Sequence, residues 1–410
     1  MYNNSFSRAP RRPAGRFGQS SNRRSSSSRP ARGGSRHGAF IHPSKFVNKA
    51  IQPETQVAYV PMHAFADFAL DPGLKKNIAA RGYVTPTPIQ DGSIPSIIEG
   101  KDLIGLANTG TGKTAAFILP IINRLFSDKA SGGALIMAPT RELAQQIDEE
   151  FRAFSRGSGL LSALCVGGMS IGPQISALRR RPEVVIGTPG RLRDLNEQGK
   201  LRLDSSSVLV LDEADRMLDM GFSKDIYFLI DQLPKVRQSL CFSATITPAI
   251  EVLMQQLLID PVTVSVRTGE TADHIEQDVV EVSSGSNKFE TLHSLLSQPQ
   301  FEKVLIFGET KHGVQRLADN LSQQGHAADA IHGNKSQPQR QRTLNAFKQN
   351  KFQILVATDV AARGLDIPNV SHVINYDQPN SYEDYVHRIG RTGRGGKSGI
   401  ALTFIAASSR

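Results

Sequence analysis

The sequence predicts an α/β protein: two tandem parallel-sheet units joined by a flexible linker and preceded by a disordered basic arm. Three observations predict this. From about residue 63 onward, short Val/Ile/Leu runs alternate with longer amphipathic segments, the pattern of buried parallel strands and the helices that cover them. A chain of 410 residues exceeds what one ordinary core serves. Residues 1–50 hold 11 Lys and Arg and no Asp or Glu, so by subtraction from the net +10 residues 51–410 sum to −1.

The arm comes first. Ser, Arg, Gly and Pro with hardly any apolar content cannot bury enough surface to fold. Its unbalanced positive charge suits sequence-independent contact with nucleic-acid phosphate, although a solubilising tail would have the same composition. Cys165 and Cys241 each lie in an apolar strand-like run, not in a ligand cluster, which argues against a disulfide framework or zinc site and fits a reducing cytosol. No run of about 18 apolar residues occurs, and the start lacks the apolar segment of a secretory signal. A soluble, cytoplasmic protein without membrane contact is expected.

The first unit is expected over residues 63–266, with strands in "DLIGLA", "ALIMAP", "EVVIGT", "SVLVLD" and "QSLCFSAT". The first of these runs ends in a Gly-rich loop, Gly110-Thr111-Gly112-Lys113-Thr114, followed by an apolar-periodic helix. Glycines there let backbone N–H groups turn toward phosphate oxygens, and the helix N-terminus adds positive potential. Lys113 reaches the outer phosphates, and the Thr114 hydroxyl is the expected Mg²⁺ ligand. Against the G-x-x-x-x-G-K-[ST] pattern, Ala107 stands in the first glycine position.

Further along, "SSVLVLDEADRMLDMGF" places Asp212, Glu213 and Asp215 directly after a short buried strand. Carboxylates that close raise one another's pKa unless a cation sits among them. A nucleotide-bound Mg²⁺ supplies one: Asp212 can hold it through water, leaving Glu213 to orient and deprotonate the attacking water. Asp215 is expected to position a neighbour by hydrogen bonding. A solvated acidic turn would not explain acids at the end of a buried strand.

"VSVRTGETADHIEQDV", from Val264 to Val279, reads as a hinge-like linker, centred on residues 267–277. The second unit follows over 278–410, with strands in "KVLIFG", "FQILVAT", "HVINYD" and "GIALTFI". In "YVHRIGRTGRGGKSG", Arg388, Arg391 and Arg394 recur three residues apart among glycines. A solvated basic turn is the plain reading. Paired with a phosphate loop in the other unit, the cluster reads as arginines delivered across a cleft to a transferring phosphoryl group.

These pieces together resemble the DEAD-box RNA helicases of superfamily 2: Asp212-Glu213-Ala214-Asp215 spells the name, and the likeness runs in order from about residue 65 to 404. The resemblance implies two RecA-like domains that bind ATP and Mg²⁺ and hydrolyse ATP when RNA closes them, locally unwinding short duplexes. It implies that "GYVTPTPIQ" reads adenine, with Tyr83 stacking on the base, Gln90 bonding its edge, and Phe65 as the isolated upstream aromatic, unless Phe65 is simply core. "ANTGTGKT", Ala107, Asn108, Thr109 and Gly110 through Thr114, matches the phosphate loop, with Asn108 where Gln is more usual. Asp366 resembles the residue that reaches the ATP ribose, and Arg391 and Arg394 the arginine fingers. "SAT", Ser243, Ala244 and Thr245, resembles the segment coupling hydrolysis to strand separation, with Asp215 and His387 as its partners. RNA contacts are implied for Pro139, Thr140 and Arg141, for Gly167 and Gly168, and for Thr188, Pro189, Gly190 and Arg191. In the second half they are implied for "IFGET", for Gln337 and Arg340, and for "ATDVAARGLDI", with Thr358 and Arg363. Small residues, backbone amides and single arginines suit a sugar-phosphate backbone more than base edges.

A monomer with possible protein regulators is expected. The same residues would serve an ATP-gated RNA clamp or annealing factor. A DNA-directed helicase of related build or a small-molecule P-loop kinase would also use a phosphate loop, but a kinase leaves the second unit's arginines without a role. Removing residues 1–50 is expected to lower RNA affinity and flatten its salt dependence in a binding titration while sparing RNA-saturated turnover.

Overall fold

The computed structural model describes residues 41–48, 59–108, 110–127, 132–266, 275–283, 287–362, 367, 369–393 and 399–407. Two parallel sheets organise them. The first has seven strands: β1 (Leu103–Leu106), β2 (Gly133–Met137), β3 (Ser162–Cys165), β4 (Val184–Gly187), β5 (Ser206–Leu211), β6 (Gln238–Ser243) and β7 (Val262–Ser265), in the order β3-β4-β2-β5-β6-β1-β7. The second has six: β8 (Ile275–Val282), β9 (Val304–Phe307), β10 (Ala328–Ile331), β11 (Ile354–Ala357), β12 (His372–Asn375) and β13 (Gly399–Ala406), in the order β10-β11-β9-β12-β13-β8. The two α/β units expected from the alternating pattern are both present, and the central strands are the apolar runs, buried on both faces.

Alternation along each strand divides the core of the first lobe into two layers. Ile136, Ile186, Val210 and Phe242 pack under the helices Pro88–Ile98, Lys113–Ser127 and Arg141–Phe154. Leu135, Val185, Leu209 and Cys241 face the opposite layer, built from Leu192, Met217, Ile226 and Leu253. Both cysteines are buried free thiols. The second lobe repeats the plan: Val304, Ile306 and Val356 face one helical layer, Leu305, Phe307 and Leu355 the other.

Two expectations change. The linker expected from Val264 to Val279 is shortened at both ends, because β7 takes up Val264 and Ser265 and β8 begins at Ile275; residues 267–274 lie outside the described residues. The arm expected over residues 1–50 is overturned at 41–48, its described part; residues 1–40 and 49–50 lie outside the described residues. Pro43–Phe46 form a 3₁₀ turn with Phe46 fully buried, and Asn48 pairs antiparallel with Gln277 on β8. An aromatic anchor and a short strand bridge overcome the polar composition around them.

Asp102, just before β1, ties three strand starts together. Its Oδ1 accepts from the Ser239 N–H and its Oδ2 from the Ile259 N–H, both at 2.7 Å, while its carbonyl accepts from the Val262 N–H. Asp102→Ala strands the buried Ser239 N–H and frees the part-buried Ile259 N–H and is expected to cost about 1–3 kcal/mol in a urea melt; a loss under about 0.5 kcal/mol would mean water replaces the carboxylate.

Candidate functional site

The strand order brings the chemistry together. β5, β6 and β1 are neighbours, so the segments leaving their C-terminal ends meet at one edge of the sheet. The phosphate loop leaves β1, the acid run leaves β5 and Ala244-Thr245 leaves β6; the Ala107 N–H donates to the Ser243 carbonyl at 3.1 Å. Lys113 opens the helix Lys113–Ser127, is buried, and donates from Nζ to the Ala107 carbonyl at 2.8 Å. Thr114 follows in the same first turn, partly buried. Thr111 Oγ1 donates to the Asn108 carbonyl, and Gly110 and Gly112 have positive φ; Thr109 lies outside the described residues.

Gln90 joins the adenine-type element to this loop. Its Oε1 accepts from the Thr87 N–H at 2.9 Å, and its Nε2 donates to the Gly112 carbonyl at 3.1 Å. Gly112 has φ +93°, and a Cβ there would collide with Gln90 Nε2, so glycine is required on both counts. Tyr83 packs edge-on between Phe65 and Phe154, at centroid distances of 5.9 and 5.4 Å. Phe65 is buried against Phe68 as well, a core aromatic in this structure.

Asp212 is buried, and its Oδ1 has no hydrogen-bond partner. Burial pushes its carboxyl up to about 7, against the pull of the Lys113 ammonium and with help from Glu213 and Asp215. An orphaned carboxylate oxygen near the Lys113 ammonium of the glycine-rich loop fits a Mg²⁺ shared with a nucleotide. Among the described residues no group of three or more His, Cys, Asp or Glu could hold an ion alone, so phosphate oxygens and water would have to complete its shell.

Glu213 adopts φ 54°, ψ 52°, a left-handed conformation rare for a side chain of its size. Its Oε2 accepts from Arg216 Nη1 at 2.8 Å, both groups being buried. Asp215 bonds the strand-end segment directly: Oδ2 accepts from the Ala244 N–H (3.1 Å), the Thr245 N–H (3.0 Å) and Thr245 Oγ1 (3.0 Å). Ser243 Oγ donates to the Thr245 carbonyl at 2.8 Å.

The second lobe meets this cluster through the helix Tyr382–Ile389 and the turn after it. Arg216 lines a small pocket with Phe307, Asp359, His387, Arg388 and Arg391. Burial, and then the Arg216 guanidinium, lower the His387 pKa to about 4, so its ring is neutral at pH 7. Arg388 is an anchor: Nε and Nη2 grip both Asp359 oxygens at 2.6 and 2.7 Å, and Nη1 donates to the Asp377 carbonyl. Arg391 is buried and its Nε donates to the His387 carbonyl. Arg363, Asp366 and Arg394 lie outside the described residues.

A cleft of about 410 Å³ gathers Pro139, Thr140, Arg141, Gly167, Thr188, Gly190 and Arg191, with Arg340 from the second lobe. Two helix N-termini, at Thr140–Arg141 and Thr188–Pro189, open onto it. Gly168 has φ +73°, and a Cβ there would strike the Arg141 guanidinium, which lies over the turn. Burial, then the charges of Arg340 and Arg191 against the pull of Glu142, lower the Arg141 pKa, as expected where guanidiniums crowd together. Thr358 is half-buried, and its carbonyl accepts from the Ala361 and Ala362 N–H groups.

Gln337 and Arg340, expected as RNA contacts, are paired across the lobes at the edge of this same cleft, which Glu142 also lines. Both reach across to Glu142 Oε1 in the first lobe, at 3.1 and 2.9 Å. A buried carboxylate must be paired, and these two donors pair it. Glu142 and Asp359 lie in the segments "PTREL" and "ATDVAARGLDI", expected to contact RNA, but their pairings were not foreseen, and Arg216 received no role from the sequence. The signal for Arg216 was its i,i+3 spacing from Glu213; Glu142 and Asp359 pair over long separations and left none.

Asp91, next to Gln90, is buried under the entering chain. It accepts from Tyr59 Oη (2.5 Å) and the Met62 N–H (2.7 Å) and pairs with His63 Nδ1 (2.6 Å). Burial alone would raise its pKa, but these bonds outweigh burial and hold it below the ordinary carboxylate value. A depressed folded pKa stabilises above the unfolded value of about 4 and ceases to as pH falls through the folded value. The stability difference between wild type and Asp91→Asn should therefore be full at pH 6 and shrink below about pH 4 in parallel urea melts. A pH-independent difference would contradict the assignment.

Residues 87–253 match the DEAD/DEAH box helicase family and residues 287–396 the helicase conserved C-terminal domain. The chain is 46% identical over 345 residues to the ATP-dependent RNA helicase CshA of Listeria monocytogenes, covering 84% of this chain and 66% of that protein. It is 44% identical over 342 residues to CshA of Limosilactobacillus reuteri, covering 83% and 69%. The chain thus spans about two thirds of the length of these relatives. A solved structure of S. cerevisiae Dbp5 bound to RNA and ADP BeF3 superposes with TM-score 0.75 at 32% identity, covering 84% of this chain and 90% of that one.

Proposed function

The chain belongs to the DEAD-box family of helicases, and from that premise we propose an RNA-stimulated ATPase that hydrolyses ATP with its lobes together and locally separates short RNA duplexes. One observation carries the reading: Arg216, which holds Glu213 in the first lobe, meets His387 and Arg391 of the second around one small pocket. The partner of a candidate catalytic carboxylate and a candidate arginine finger come together where the lobes touch.

Lys113 would bind the outer phosphates, exchanging its bond to Ala107 for phosphate oxygens. Thr114 and Asp212 would hold Mg²⁺, which when bound neutralises charge on the terminal phosphates. The Arg216 bond fixes the Glu213 carboxylate, limiting its freedom to turn from an attacking water. Neutral His387 between Arg216 and Arg391 avoids a third positive charge at a contact that must form repeatedly. Arg391 is the residue we assign to charge on the transferring phosphoryl group, with Arg394 as its companion.

RNA would bind by its backbone in the cleft of Arg141 and Arg191, where helix N-termini and guanidiniums favour phosphate. Glu142 holds Gln337 and Arg340 at the same place, so RNA binding and lobe closure share residues. Asp215 would pass the state of the acid run to Ala244 and Thr245. No helix among the described residues is long and apolar enough to cross a membrane; we place the protein in the cytoplasm as a monomer.

Glu213→Gln is expected to slow single-turnover hydrolysis by about 10²-fold or more while ATP-dependent RNA binding survives. Lys113→Ala should instead weaken nucleotide binding. Loss of RNA binding in Glu213→Gln would show that gripping and chemistry are one step, and RNA gripping without ATP-dependent duplex release would favour a clamp.

A further inference from the structure

We propose that residues 41–48 are part of the second lobe, not of the arm, and that Phe46 is a positioning residue for the helix that delivers Arg391. The proposal rests on the ATPase reading above and adds a residue to it from outside both family-matched regions.

Phe46 has no exposed surface, and its ring lies 4.8 Å from that of Tyr385, equally buried. The two belong to a separate small core with Ile275, Ile389, Ala401 and Ile405. Tyr385 and Ile389 are on the helix Tyr382–Ile389, which also bears His387 and Arg388 and runs into Arg391. One side of this helix therefore faces the catalytic junction, and the other is packed by a residue from before the first lobe.

The backbone seals the arrangement. The Asn48 N–H donates to the Gln277 carbonyl at 3.0 Å and the Gln277 N–H to the Asn48 carbonyl at 2.8 Å, adding a partner to β8, the edge strand. Tyr385 Oη donates to Gln277 Oε1 at 2.9 Å, so strand bridge and helix are joined through one residue. Lys45 Nζ stands 5.8 Å from the Tyr382 ring at the start of the helix. The second lobe is thus built from two separate stretches of chain. Without Phe46, Tyr385 and Ile389 face a void, and the helix is free to shift by the small distances that matter for a group reaching across a cleft.

The experiment compares the full chain with versions lacking residues 1–40 or 1–50 and with Phe46→Ala and Phe46→Leu. RNA-saturated ATPase, RNA binding against salt, and hydrogen exchange over residues 382–391 are measured. Removal of 1–40 should weaken RNA binding with kcat unchanged. Removal of 1–50, which composition alone would expect to spare turnover, and Phe46→Ala should instead lower kcat about tenfold with KM for ATP within twofold, since the first lobe is untouched. Phe46→Leu should restore most of the loss, and exchange over 382–391 should quicken only where kcat falls. Equal kcat for the two deletions, or wild-type kcat and exchange in Phe46→Ala, would overturn the proposal. A full chain without RNA-stimulated turnover would sink the functional reading instead, and unchanged exchange in Phe46→Ala would then decide against the docking independently.

Discussion

Asp212 stands at the end of β5 with one oxygen buried and without a partner, and burial pushes its carboxyl up to about 7. A parallel sheet covered on both faces leaves only its strand ends for polar chemistry. The sheet therefore concentrates an unfavourable charge where β1, β5 and β6 finish side by side. Lys113 relieves part of it, and a dication with phosphate would relieve the rest. Everything else in the site is arranged around that unfinished electrostatic balance: the left-handed turn at Glu213, the Arg216 bond that holds it, and the grip of Asp215 on Ala244 and Thr245.

The junction between lobes has the same character. Charged groups are buried there, but each with a partner from the far side or from its own lobe: Glu142 with Gln337 and Arg340, Arg388 with Asp359. Breaking such pairs leaves uncompensated charge, so contacts of this kind tend to form or separate as a set. On the proposed function, lobe closure, anion binding in the arginine cleft and assembly of the candidate hydrolytic residues would be linked equilibria, each ligand favouring the other's site.

How much of this was legible is best seen in the strands. Those at the centre of each sheet, such as "VLVL" and "ILVA", are buried on both sides and announce themselves as apolar runs. β7, β8 and β10 were not in the expected series, and β3 was signalled only by the run around Cys165. All four are edge strands. An edge strand has one partner and often a wet face, so "IEQDVVEV" can keep three acids and still belong to the sheet. The acid run, the phosphate loop and the arginine turn were legible because their chemistry demands particular residue types at fixed spacing. Glu142 and Asp359 were not, because their partners lie far along the chain.

From the sequence by itself came the two α/β units, the candidate nucleotide loop and the residues at each strand end, since local spacing and burial period encode all three. Only the tertiary structure decided which charges neutralise which: that Gln337 and Arg340 serve Glu142, that Arg388 is an anchor while Arg391 faces the junction, and that Phe46 belongs with Tyr385. Pairings between distant segments depend on how whole layers stack, and a sequence read in windows carries no record of that distance.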